Sequence, residues 1–130
     1  MLIVYIVSMK IQVISNESTL KNELQKFQNN AQHFVECYEG EKNSLDILSF
    51  IVSGNASLVI LDDDFTSPHS VHLLESIRKV KSEQKIIFLT SDDGLDLGKK
   101  ISSLGVQFYA IKPISEKEMI DSIKSILKIK

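Results

Sequence analysis

The chain has 130 residues, of which 43% are hydrophobic and 25% are charged, and its formal net charge is −2 at pH 7. These values are ordinary for one folded domain, and the charge balance provides no basic field that would attract nucleic acid. Cys37 is the one cysteine in the chain, which excludes a disulfide framework and a cysteine-rich metal site. We expect a cytoplasmic domain that contacts neither nucleic acid nor a membrane directly.

The first eight residues, MLIVYIVS, are almost wholly apolar. They are too short to cross a bilayer, which takes about 20 apolar residues, and they lack the basic segment that opens a signal peptide. Two interpretations stay open for residues 1–9: an N-terminal extension that precedes the functional domain, or a structural segment that forms an added strand or a dimer contact. The predicted domain itself covers residues 10–130.

From residue 10 onward, strand-like apolar runs alternate with helix-like stretches. The predicted strands cover residues 10–15, 33–38, 57–61, 85–90 and 106–111. After four of the five strands, apolar residues recur at the spacing of one helix face, as Leu20, Leu24 and Phe27 do after the first, whereas the stretch after the fourth strand is a poor helix. The fourth predicted helix carries Gly94 and Gly98, and a glycine in a helix interior lowers stability by about 1 kcal/mol relative to alanine. We expect this helix to move most readily.

Strand–helix units with short links indicate a parallel sheet covered by helices on both faces, with right-handed crossovers. Ser115 and Glu118 form an S-x-x-E capping box, which predicts where the last helix begins. No repeat or linker interrupts the pattern. The predicted fold is therefore α/β, a doubly wound three-layer sandwich with five parallel strands.

Three polar residues stand where three of the predicted strands end. Asp62 closes SLVILD, Thr90 closes KIIFLT, and Lys112, followed by Pro113, closes VQFYAIKP. Each has an ordinary explanation when taken alone: a solvated turn, a helix N-cap and an exposed strand end. Ligand sites of open α/β sheets form at the carboxyl ends of the strands, however. A carboxylate, a hydroxyl and an ammonium at that edge predict a pocket for a phosphoryl group.

The spacing of these residues resembles that of receiver (CheY-like) domains of two-component response regulators, over residues 10 to about 128. Asp62 resembles the phospho-acceptor of that family, Thr90 its switch hydroxyl, and Lys112 with Pro113 its Lys-Pro pair. The segment SVHLLESIRK at 70–79 resembles the third helix of the family. The segment GVQFYAIKP at 105–113 resembles its G-A-x-x-Y-x-x-K-P motif, with Tyr109 at the aromatic switch position.

The resemblance implies a strand order of 2-1-3-4-5 and a role in phosphorelay signal transduction. Asp62 would take a phosphoryl group from a histidine kinase or phosphotransfer protein, and Lys112 would pair with the phosphoryl oxygens. Thr90 and Tyr109 would then turn inward. The surface of the fourth helix, fifth strand and fifth helix of the family fold would contact a downstream protein. The resemblance implies a single-domain signalling protein rather than an enzyme, and homodimer formation stays open.

One departure from the family concerns its Mg²⁺ site. The family's first strand ends in an acidic pair, whereas this chain has Ser15 and Asn16, followed by Glu17. Because Mg²⁺ is usually held by one or two carboxylates together with phosphate oxygens, a site around Asp62 and Asn16 is expected to be weak or absent. Two alternatives stay open: an atypical receiver that acts by binding alone, or a site in which Glu17 or Asp64 supplies the missing carboxylate.

The run DDDFT also fits a phosphatase motif. Asp62, Asp64 and Thr66 match the D-x-D-x-[TV] motif of haloacid-dehalogenase-type phosphatases, in which the first Asp is the nucleophile and the second a general acid/base. Two strand–helix units precede the motif here, whereas that family opens with it. No acidic pair follows Lys112 on a later strand. The phosphatase therefore stays the weaker alternative.

Overall fold

A computed structural model describes residues 9–31 and 33–129. Over these ranges, parallel strands form one sheet in the order β2-β1-β3-β4-β5, which confirms the predicted fold class and strand order. The elements along the chain are β1 (Lys10–Ile14), α1 (Ser18–Ala31), β2 (Phe34–Cys37), α2 (Ser44–Gly54), β3 (Leu58–Asp62), α3 (Asp63–Thr66), α4 (Ser70–Val80), β4 (Ile86–Thr90), α5 (Leu95–Leu104), β5 (Phe108–Ile111) and α6 (Glu116–Leu127).

Alternation of side chains along the strands divides the core into two layers. Leu58 and Ile60 of β3 face one layer with α1 and α6. Val59 and Leu61 face the other layer with α2, α4 and α5. All residues of β3 and β4 are buried. Strands covered on both sides by helices read as continuous apolar runs, and for this reason their positions could be predicted.

Two details of the helices concern the predictions directly. The Ser115 hydroxyl accepts a hydrogen bond from the Glu118 amide at 3.1 Å and caps α6, as predicted. Gly94, by contrast, is the N-cap of α5 rather than an interior residue, so of the two glycines only Gly98 lies within this helix. The short helix α3 starts directly after β3 and was not predicted.

Residues 1–8 lie outside the described part of the chain, and with them most of the predicted extension or added strand over 1–9. Met9 is described. Its carbonyl accepts a hydrogen bond from the Phe34 amide at 2.9 Å, and its side chain packs against the α1–α6 layer. None of the described helices has the length and apolar character needed to cross a membrane.

Candidate functional site

The ends of β3 and β4 present polar side chains to both layers of the fold. Asp62 continues the row of Leu58 and Ile60 toward α1 and α6. Thr90 continues the row of Phe88 toward α2, α4 and α5, and Asp63, the first residue of α3, bonds to Thr90. The chain changes from strand to helix between Asp62 and Asp63, and these neighbouring residues belong to two different groups.

The first group, here named the lysine cluster, consists of Ser15, Glu17, Asp62, Asp64 and Lys112. Asp62 is fully buried. Its Oδ1 lies 2.8 Å from Lys112 Nζ, its Oδ2 lies 2.9 Å from the same nitrogen, and Ser15 Oγ donates to Oδ2 at 2.6 Å. The Asp64 amide donates to Oδ1 at 3.1 Å. A buried carboxylate costs little only when it is paired and hydrogen-bonded in this way.

Lys112 joins this buried carboxylate to two partly exposed ones. Its Nζ lies 2.7 Å from Glu17 Oε2 and 3.0 Å from Asp64 Oδ2. Burial alone would disfavour the ammonium, but hydrogen bonds to Asp62, Glu17 and Asp64 outweigh it and hold the pKa of Lys112 well above its usual value. Lys112 therefore stays charged at any physiological pH.

Asp64 is also tied to the residue that follows β4. The Ser91 hydroxyl donates to Asp64 Oδ2 at 2.6 Å, and the Ser91 amide donates to Oδ1 at 3.2 Å. Partial burial acts to raise the pKa of Asp64, but the hydrogen bonds from Ser91 and Lys112 prevail and lower it. Asp64 therefore connects the β3 end to the loop after β4.

The second group, here named the hydroxyl network, consists of Asp63, Thr66, Ser70 and Thr90, all buried. Thr90 Oγ1 donates to Asp63 Oδ2 at 2.7 Å, and Ser70 Oγ donates to Asp63 Oδ1 at 2.5 Å. Thr66 Oγ1 lies 2.6 Å from Ser70 Oγ. Each oxygen of the buried Asp63 carboxylate thus receives a hydroxyl proton.

Tyr109 lies on the same side of the sheet as the hydroxyl network. Its ring stacks on Phe88 with centroids 5.6 Å apart and an interplanar angle of 7°. Its hydroxyl is buried and has no hydrogen-bond partner among the described residues. Burial, followed by the nearby charges of Asp92 and Asp63, raises the pKa of Tyr109. The hydroxyl is therefore a neutral donor that holds an unused proton.

The structure groups the predicted site residues differently from the sequence-based expectation. Asp62, Lys112, Asp64 and Glu17 lie together in the lysine cluster. Thr90 is hydrogen-bonded to Asp63 instead of Asp62. Asn16 is exposed and makes no side-chain hydrogen bond to the described residues.

Four residues of these groups were not predicted to act there: Ser15 as a donor to Asp62, and Asp63, Thr66 and Ser70 in the hydroxyl network. Strand alternation would have placed Thr90, two residues after Phe88, on the layer of α2, α4 and α5, whereas Asp63 is the first residue of α3, which was not predicted. Thr66 ends α3 and Ser70 begins α4, and the sequence carries no comparable periodicity across the short turn between them.

The residues of the lysine cluster do not fit a Mg²⁺ ion in this arrangement. The carboxylates of Asp62, Asp64 and Glu17 all approach the Lys112 ammonium within 3.0 Å, so the point on which they converge already holds a cation. Ser15 adds a hydroxyl that donates to Asp62. Over residues 9–31 and 33–129, acidic, histidine and cysteine side chains form no group of three suited to a metal. Weak or absent Mg²⁺ binding stays a prediction.

A cleft of about 430 Å³ opens beside the lysine cluster. Glu17, Ser91 and Lys112 line its polar side, and Leu20 and Ile114 are among its apolar lining residues. A larger depression of about 590 Å³ lies at the opposite end of the strands, beside Ser57, Lys85 and Leu127, and its described lining includes no residue of either group. The smaller cleft is therefore the approach that matters for the lysine cluster.

No protein-family model and no curated protein matches this sequence. Solved structures do match the fold. A CheY-like response regulator receiver domain protein from Methanospirillum hungatei has a TM-score of 0.80 at 18% identity, over 94% of this chain and 95% of that one. The receiver domain of a Francisella response regulator has a TM-score of 0.77 at 20% identity, over 93% and 98% of the two chains. A response regulator from Thermotoga maritima has a TM-score of 0.76 at 18% identity, over 94% and 99%.

At these levels of identity the likeness establishes the fold, which is that of CheY-like receiver domains. The haloacid-dehalogenase-type alternative receives no support from the comparisons. Its motif residues also serve other bonds here: Asp64 binds Lys112 and Ser91, and Thr66 is buried against Ser70.

Proposed function

We propose that this chain is a receiver module of phosphorelay signal transduction in which Asp62 is the phospho-acceptor. The observation that carries the proposal is the pairing of a fully buried Asp62 carboxylate with the Lys112 ammonium, at 2.8 Å, where β3 ends. The receiver fold raises the expectation, since ligand sites of doubly wound sheets form at this edge.

The proposed chemistry uses residues of the lysine cluster. A carboxylate oxygen of Asp62 attacks the phosphorus of a phosphohistidine, the new O–P bond forms as the P–N bond breaks, and the imidazole of the donor protein leaves. The Lys112 ammonium moves with the added charge and pairs with the phosphoryl oxygens, as a compact cation does well. For this it must give up part of its contact with Glu17 or Asp64, both of which can be solvated instead.

The proposed partners are proteins. A histidine kinase or phosphotransfer protein would supply the phosphoryl group, and a downstream protein would bind the surface formed by α5, β5 and α6. Leu95 and Ile111 support this surface, because they are apolar and are 78% and 46% exposed. We propose a cytoplasmic signalling role without direct contact to nucleic acid and without turnover of a substrate.

The test is intact-mass spectrometry after incubation with acetyl phosphate, with and without Mg²⁺. Wild type and Asp46→Asn, a control at an exposed acid in the first turn of α2, should each gain one phosphoryl group. Asp62→Asn should gain none. An adduct that persists in Asp62→Asn would overturn Asp62 as acceptor. No adduct in any protein or condition would overturn the phosphorylation chemistry and leave a receiver fold that acts by binding alone.

A further inference from the structure

The Thr90 hydroxyl is engaged both as a donor and as an acceptor by groups other than the Asp62 carboxylate. Its single proton is donated to Asp63 Oδ2 at 2.7 Å. Its oxygen accepts a hydrogen bond from the Asp92 amide at 2.9 Å. Because a hydroxyl has one proton to donate, Thr90 cannot donate to a group on Asp62 while it is bound to Asp63.

Asp63 is itself fixed by a directed chain of hydroxyls. Ser70 gives its proton to Asp63 Oδ1, so in the short contact between Thr66 and Ser70 the donor must be Thr66. The protons of this chain therefore run from Thr66 to Ser70 to Asp63, and Thr90 donates to the same carboxylate from the other side. Chained hydrogen bonds of this kind strengthen one another, and those that end on a charged acceptor are the strongest.

We propose that Asp63 is a positioning residue that holds the Thr90 hydroxyl away from Asp62, so that a phosphoryl group on Asp62 must compete with Asp63 for the Thr90 proton. The inference rests on the proposed function for its consequence, but the geometry of the Asp63–Thr90 bond stands without it. Neither the apolar pattern nor the resemblance assigns Asp63 any role.

Tyr109 fits this arrangement as a neighbouring donor. Its hydroxyl is buried without a partner among the described residues, and the charge of Asp63 is among the causes that raise its pKa, after burial and Asp92. If Thr90 leaves, the Asp63 carboxylate loses one of its two hydroxyl donors in a buried place. A charged acceptor in such a place favours any donor within reach, and Tyr109 holds a proton that is not otherwise used.

The first experiment reads the positioning without phosphorylation. Asp63→Asn keeps the shape of the side chain and removes its charge, and Asp93→Asn is the matched control at an exposed acid of the loop before α5. By NMR, Thr90 should occupy a single χ1 rotamer in wild type and in Asp93→Asn, and should exchange between rotamers in Asp63→Asn. An unchanged Thr90 rotamer in Asp63→Asn would overturn the proposal.

Tyrosinate absorbance provides a separate readout, which reports the charge of Asp63 rather than the rotamer of Thr90. Removal of the Asp63 charge should lower the pH at which Tyr109 ionises, with Tyr109→Phe used to assign the step. If Asp63→Asn does not fold, the same hydrogen bond can be tested by changing Thr90 and observing Asp63. Thr90→Val removes the hydroxyl, and Thr90→Ser keeps it. The carboxyl-carbon resonance of Asp63 should shift in Thr90→Val and stay in place in Thr90→Ser; equal shifts in both would overturn the proposal.

The last experiment separates this inference from the proposed function. In acetyl phosphate, we compare the population of Thr90 rotamers that face Asp62 with the population that face residue 63. This ratio should be about tenfold higher in Asp63→Asn than in wild type, the effect of losing roughly one hydrogen bond to a charged group. Phosphorylation of Asp62 with the same ratio in both proteins would overturn the role of Asp63. A freed Thr90 rotamer in Asp63→Asn without any phosphoryl adduct would support the role of Asp63 and overturn the proposed phosphorylation.

Discussion

Ser15 Oγ donates a hydrogen bond to Asp62 Oδ2 at 2.6 Å, in a place where both side chains are buried. The receiver family, which this chain resembles, has a carboxylate at the position of Ser15. In this chain the second charge beside Asp62 is replaced by a neutral donor, which stabilises the ionised carboxylate instead of repelling it. Ser15 and Lys112 together satisfy the Asp62 carboxylate, and on this ground we predict weak Mg²⁺ binding at the lysine cluster.

Ser15→Asp should create a Mg²⁺ site. A second carboxylate within hydrogen-bond reach of Asp62 adds a unit charge about 4 Å away, which is worth roughly 4 kcal/mol at an effective dielectric of 20 before hydration offsets. We expect at least a tenfold gain in Mg²⁺ affinity by calorimetry, because about 1.4 kcal/mol already corresponds to that factor. Ser15→Asn is the neutral control, and equal Mg²⁺ affinity in the two variants would contradict the prediction.

Lys112→Met should destabilise the fold severely. Asp62 has a 1% exposed side chain and Lys112 a 14% exposed one, so the variant leaves a buried carboxylate without its cation. Removing one partner of a buried pair costs about 3–5 kcal/mol, and the free energy of unfolding in urea should fall by that amount. Whole domains have only about 5–15 kcal/mol of stability.

The control for this variant is Lys117→Met. Lys117 also pairs with an acid, Asp121, at 2.7 Å, but the two side chains are 85% and 60% exposed. An exposed pair of this type contributes little to stability, so the free energy of unfolding should barely change in Lys117→Met. Comparable losses in Lys112→Met and Lys117→Met would show that Asp62 does not depend on its buried partner.

The fold could be predicted because its physical causes are repeated along the chain. Strands such as β3 and β4 are buried on both faces, so they appear in the sequence as uninterrupted apolar runs. Residues such as Ser115 also bond locally, to an amide three residues away, and local bonds leave a local signature.

The arrangement of the site could be predicted only in part. The strand ends indicate that Asp62, Thr90 and Lys112 share one edge of the sheet. They do not indicate toward which face of the sheet each side chain points. Asp62 faces α1 and α6, whereas Thr90 faces the opposite layer and bonds to Asp63. The position of Asp63 also depends on the start of α3 directly after β3 and on Ser70, seven residues further on. Contacts of this kind depend on tertiary placement and have no periodic signal.

In Asp64→Asn, the free energy of unfolding should depend less on pH in the acid range than it does in wild type. Because its pKa in the folded protein is lowered, chiefly by Ser91 once partial burial is overcome, Asp64 adds stability above its unfolded pKa of about 3.9. That contribution is lost as the pH falls through the lower pKa of the folded protein. The half-exposed position limits the effect to roughly 0.2–1 kcal/mol.

The measurement is urea unfolding of wild type and Asp64→Asn between neutral pH and strong acid. The difference between the two proteins should be largest near neutrality and should shrink below about pH 4. Asp93→Asn, at an exposed acid in the nearby loop, should follow wild type. A difference that stays constant down to strong acid would show that Asp64 contributes through something other than its charge.

Gly98→Ala should stabilise the protein by about 0.5–1 kcal/mol, since alanine removes the conformational freedom of a glycine within a helix. An added Cβ at Gly98 would lie 3.8 Å from the Tyr109 hydroxyl oxygen, an ordinary van der Waals distance, so it fits without displacement. Gly105→Ala is the matched opposite, at the C-terminal end of the same helix α5. There φ is +80°, a conformation that disfavours alanine, although an added Cβ would meet no described atom within 4 Å. The midpoint temperature of thermal unfolding should therefore rise in Gly98→Ala and fall in Gly105→Ala. A higher unfolding temperature in both variants would contradict this prediction, because it would mean that the positive φ at Gly105 does not require glycine.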